Sequence, residues 1–73
     1  MIYKVTKHVF NSFGKEVETL HFNVPSSFVN ELVSLLISEG YTVFENDDYY
    51  KMLSALHDNC TYTRYTFRLV KHG

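Results

Sequence analysis

The sequence predicts an α+β fold: a two-layer sandwich of a four-stranded, mostly antiparallel sheet with one long and one short helix, in the order ββαβαβ. Three observations lead there. Residues 2–10 and 15–24 are strand-like segments joined by Asn11, Ser12, Phe13 and Gly14, which favour a turn. A helical apolar period runs between Pro25 and Gly40 and returns over residues 49–57. Residues 60–71 alternate strongly, as a half-buried strand does. With 73 residues the chain makes a single domain, 1–73.

In the first hairpin, a register with Phe10 opposite Lys15 sets Lys7 against Glu18, Val5 against Leu20 and Tyr3 against Phe22. It gives one apolar face and one charge pair, so it is preferred over a register one residue longer. Tyr3, Val5, Leu20, Phe22 and Val24 then face the helix, and Lys4, His8, Phe10, Lys15 and His21 face away.

The long helix is the best-marked element. Phe28, Leu32, Leu35 and Leu36 form a stripe that Val29, Val33 and Ile37 widen to roughly 200°. Pro25 blocks an upstream helix, Ser26 or Ser27 is placed to cap, and Gly40 suits a left-handed stop. Residues 41–46 read as a short strand. Over residues 49–57, Tyr49, Met52, Leu53 and Leu56 share about 100° of arc, which favours a short helix capped by Asp47 or Asp48. A strand is the other reading of that segment, and the sequence does not separate the two. In the last strand Tyr65, Phe67 and Leu69 point one way, and Tyr62, Arg64, Thr66 and Arg68 the other. The expected core is Val5, Leu20, Phe22, Phe28, Leu32, Leu35, Leu36, Phe44, Leu53, Leu56, Phe67 and Leu69.

A chain this short buries only about 60% of the surface that it exposes when unfolded. Six Tyr and six Phe exceed what so small a core uses, so rings are expected on the surface, where they suit an interface. The wide apolar arc of the helix, and Ile2, Phe10, Val17 and Tyr62 on the outer sheet face, invite a second copy. A homodimer is expected. Net charge is −1, which supplies no global attraction to nucleic acid or an anionic membrane. Cys60 is the sole cysteine, and the longest apolar run is Leu35, Leu36 and Ile37. A soluble, cytoplasmic protein without membrane contact is expected.

Catalytic and metal chemistry are weakly represented. His57 and Cys60 have a zinc-pair spacing, but His8, His21 and His72 offer no second half. Cys60, His57 and Asp58 include nucleophile, base and carboxylate types, yet a two-layer domain of this size has little room to enclose a substrate. Gly14, Gly40 and Gly73 make no phosphate loop. No enzyme activity, cofactor or metal is expected.

Two surfaces carry binding chemistry instead. Glu45, Asp47, Asp48 and Tyr50 form an acidic, aromatic corner suited to docking on a basic protein surface, with Tyr50 as anchor. The outer sheet face gathers Lys4, Phe10, Tyr62, Arg64 and Arg68, with His8, Lys15 and His21, a mixture used by single-strand binders.

Small size, abundant Tyr and Asn, one Cys and no catalytic motif resemble the early host-takeover proteins of large phages that infect Gram-positive bacteria. In style the chain is most similar to inhibitors of the bacterial DNA sliding clamp. The resemblance implies a non-enzymatic inhibitor that binds and blocks a host factor in the host cytoplasm. Because the chain has no Gln, it lacks the Gln-led peptide that fills the clamp's partner pocket. A clamp inhibitor of this sequence would turn its acidic side toward the basic DNA channel. An anti-CRISPR inhibitor fits the same style, and a single-stranded nucleic-acid binder is the alternative from another class.

Overall fold

In a computed structural model, which describes residues 1–70, the chain forms β1 (Ile2–Phe10), β2 (Glu16–Pro25), α1 (Ser26–Ser38), β3 (Thr42–Asn46), β4 (Tyr50–Leu56) and β5 (Tyr62–Val70). Lys71, His72 and Gly73, including the expected end of the last strand, lie outside the described residues. The strands make one sheet in the order β2-β1-β5-β4-β3, with every neighbouring pair antiparallel. This corrects the expected ββαβαβ order: among the described residues the sheet has five strands rather than four, and there is one helix rather than two.

The second helix is replaced by β4. Leu53 satisfies both periods, since a helical arc and a sheet face each bury it, and a short apolar run does not separate them. The turn chemistry decides. Asp47 Oδ1 accepts hydrogen bonds from the amides of Tyr49 at 2.8 Å and Tyr50 at 2.7 Å, and Asp47 N–H donates to the Tyr50 carbonyl at 3.0 Å. The aspartate therefore caps a hairpin turn, not a helix. A short helix over residues 49–57 would also be marginal on its own, whereas β4 gains ladders on both sides, from β3 and β5.

The β1–β2 register differs from the expected one as well. Val5 lies opposite Phe22 and Tyr3 opposite Val24, two residues beyond the expected partners. Asn11 closes a loop through its N–H to the Lys15 carbonyl at 2.9 Å, with Gly14 at φ +82°, and Val17 is the extra residue of a bulge, between Glu18 opposite Val9 and Glu16 opposite Phe10. A shift of two leaves the side chains from Glu18 to Val24 on their expected faces, whereas the bulge turns Glu16 to the outer face, opposite Phe10. Lys7 still meets Glu18, now diagonally at 3.9 Å.

No side chain caps the start of α1. Pro25 occupies the N-cap position with φ −59° and ψ 144°, and Ser26 N–H donates to the Met1 carbonyl at 3.0 Å. The other end closes as a Schellman motif. Gly40 at φ +99° donates to the Ile37 carbonyl and Tyr41 N–H to the Leu36 carbonyl, each at 3.0 Å.

The helix packs on one face of the sheet, against β1 and β2. Between the layers lie Tyr3, Val5, Val24, Val29, Leu36, Leu53 and Phe67, with Leu32, Val33, Tyr41, Tyr65 and Leu69 packed around them. Tyr3 stays in this core because its hydroxyl donates to the Asp48 carbonyl at 2.6 Å. Leu20, Phe22, Phe28, Leu35, Phe44 and Leu56, expected inside, are exposed. One helix is too narrow to cover five strands, and the strand conformation of β4 turns Leu56 to the uncovered side.

Candidate binding face

The face of the sheet opposite the helix is assembled rung by rung. Asn23, Lys4, Arg68 and Tyr50 line up across β2, β1, β5 and β4. The next rung is His21, Thr6, Thr66 and Met52, and the next is Thr19, His8, Arg64 and Ser54. Phe10, Tyr62 and Leu56 close the far end. Strand alternation alone sends these side chains outward.

At that far end the Phe10 and Tyr62 rings stack, with centroids 4.5 Å apart and planes 14° from parallel. The Arg64 guanidinium carbon lies 5.5 Å from the Phe10 centroid and 5.7 Å from that of Tyr62. Arg64 Nε is buried and has no hydrogen-bond partner among the described residues. His8 extends the stack, 6.1 Å from Phe10. Beside it a groove of about 380 Å³ is walled by Thr42, Phe44, Met52, Leu56, Tyr62 and Arg64. Phe44 and Leu56 therefore build this groove instead of the core.

Nearer the other end, Lys4, Thr6, His8, His21, Thr66 and Arg68 surround a smaller, more polar hollow of about 220 Å³. Thr6 Oγ1 and His21 Nδ1 are 3.1 Å apart, and His8 Nδ1 lies 2.5 Å from Glu16 Oε1. The hydroxyl of Thr19 donates to the same Glu16 oxygen at 2.6 Å. Those two bonds, Thr19 first, hold the Glu16 carboxyl below the usual carboxylate range.

The acidic corner joins this face at one edge. Tyr50 lies on the outer side with the Arg68 guanidinium carbon 5.7 Å from its ring centroid, and its hydroxyl points to Met52 Sδ at 3.9 Å. The ring is thus half-packed on the sheet. Glu45 sits opposite Met52 beyond the β3 bulge, while Asp47 and Asp48 form the hairpin tip. The two surfaces read separately from sequence therefore meet through Tyr50. The period-2 series Tyr50, Met52, Ser54 and Leu56 was the signal for this junction, and it was masked by the competing helical period.

The remaining candidates His57, Asp58 and Cys60 share the β4–β5 turn, where Cys60 N–H donates to the His57 carbonyl at 3.0 Å. His57 Nε2 is 2.9 Å from Thr63 Oγ1, Asp58 is exposed, and Cys60 is exposed in a turn at φ 63°. Lys15 lies in the β1–β2 loop, away from the hollow. Among the described residues no three of His, Cys, Asp and Glu converge to hold a metal, and no helix is long and apolar enough to cross a membrane.

No protein family, no curated protein and no solved structure matches this chain.

Proposed function

We propose that the protein is a non-enzymatic binding protein that blocks a host factor by covering it with the outer sheet face. The observation that carries this reading is the stack of Phe10, Tyr62 and Arg64 beside an open, largely apolar groove. Aromatic rings and arginine dominate the energetics of protein interfaces, and rings fixed on a sheet lose little entropy on docking. Tyr50 and Arg68 continue the same surface toward Glu45, Asp47 and Asp48, which supply a charged rim. The resemblance to phage takeover proteins makes a replication factor such as the sliding clamp, or a defence complex, the form of partner to test first.

A second reading, single-stranded nucleic acid, is favoured by one feature. The hollow at Lys4, His21 and Arg68 is polar and cationic, and rings for stacking bases stand on the same face. Affinity capture from a host lysate, run beside a labelled single-stranded oligonucleotide, separates the two. A specific protein retained by wild type and lost by Tyr62→Ala or Arg64→Ala supports the first reading. Oligonucleotide binding that weakens with salt and with Arg68→Ala, without protein capture, replaces it with the second.

A further inference from the structure

The two edges of the sheet are unlike. β3 is five residues long and is bulged between Val43 and Glu45, which makes it a poor template for another strand. β2 is ten residues long, regular from Glu18 to Pro25, free of Lys, and has Pro only at its last position. One side of β2 pairs with β1, and the other has no strand beside it among the described residues. A row of open N–H and C=O groups of that length is matched best by another extended strand.

Apolar side chains follow the same border. On the helix-facing side of β2, Leu20 is 51% and Phe22 36% exposed, and on α1, Phe28 is 55% and Leu35 53% exposed. The four-fold alternation of strand direction makes β2 and β3 parallel, so α1 is their crossover connection. Such connections are right-handed almost without exception. With Val29 and Leu36 turned to the sheet, that hand directs the Phe28 and Leu35 flank toward the open edge of β2. A contiguous exposed apolar patch of this kind marks an interface.

We infer that this border is an isologous dimer interface in which β2 pairs antiparallel with β2 of a second copy. The occupant has to bring an extended strand and, on one side of it only, an apolar strip. A second copy brings both at once through a two-fold axis normal to the sheet. That axis keeps each face on its own side, so paired residues share parity. With the axis at His21, Leu20 of each copy lies opposite Phe22 of the other, and Glu18 lies opposite Val24. An axis at Leu20 would instead set Glu18 against Phe22. The pairing joins two five-stranded sheets into one and makes the two outer faces continuous. Apart from His21 on the axis, it uses none of the outer-face residues that carry the binding reading, Phe10, Tyr62 and Arg64, so it stands or falls independently of that reading.

Light scattering across a hundredfold dilution tests it. Wild type should show twice the 8.6 kDa chain mass at the upper concentrations, and Leu20→Lys with Phe22→Lys should show the single-chain mass with an unchanged circular dichroism spectrum. Should that variant unfold, Phe28→Lys with Leu35→Lys gives the same reading from the helix. In a Cys60→Ser background, His21→Cys should form a covalent dimer on mild oxidation. A wild type that stays at the single-chain mass throughout, or a dimer that survives both lysine pairs, overturns the inference.

Discussion

Asp47 shows how one side chain serves a turn in the way it would serve a helix. Its carboxylate collects the Tyr49 and Tyr50 amides, just as an N-cap collects the free amides of a first turn. Asp47→Ala should cost about 1–2 kcal/mol, the scale of a lost cap. Asp47→Asn keeps the accepting oxygen and should melt close to wild type. Equal melting of all three would remove the turn from its place in specifying β4. Glu16 offers a second test at this scale. Its carboxyl is held low first by the Thr19 hydroxyl and then by His8, so what those bonds contribute is present above the unfolded-state value and fades as pH falls through the folded one. In a carboxyl-carbon NMR titration, Thr19→Ala should move the Glu16 midpoint upward. An unmoved midpoint would mean that the hydroxyl is not the partner that matters.

Among the elements, β4 separates the strand from the helical reading of residues 50–56. Leu53 is fully buried while Leu56 is 78% exposed, although both sit on one arc if the segment is helical. Leu53→Ala should therefore cost about 2–5 kcal/mol in urea denaturation, and Leu56→Ala no more than about 0.5 kcal/mol. Comparable losses at both positions would favour the helix. The contrast also explains what was legible. Helix α1 could be read from sequence because Pro25, a sustained apolar stripe and Gly40 all agree. The faces of β1, β2 and β5 could be read because alternation survives a slip of two. The register itself could not, since the bulge at Val17 leaves no mark in the hydrophobic pattern. Nor could the exposure of Leu20, Phe22, Phe28 and Leu35, which depends on how far a single helix reaches across five strands. For the candidate site, every outer-face residue named from sequence on β1 and β5 is on that face. What the pattern hid was the contribution of β4, and with it the joining of Tyr50 to the rest.

For the molecule as a whole, the acidic charge and the stacked rings lie at different ends of the outer face. Glu45, Asp47 and Asp48 stand at the edge, whereas Phe10, Tyr62 and Arg64 lie at the far end of the same face. Rim charges act on association and its salt dependence, and packed rings on dissociation. Glu45→Gln with Asp47→Asn and Asp48→Asn should leave the fold intact and slow association severalfold at low salt if the partner surface is basic. Tyr50→Ala, which removes the ring beneath Arg68, should speed dissociation instead. Rates unchanged by both would confine the contact to the stacked end. The most direct test is the dissociation rate of the captured partner from Tyr62→Ala, with its fold verified by circular dichroism. A binding surface centred on the Phe10–Tyr62–Arg64 stack predicts dissociation about tenfold faster or more, equivalent to about 1.4 kcal/mol. A rate equal to wild type would contradict it and take the centre of the binding site away from that stack.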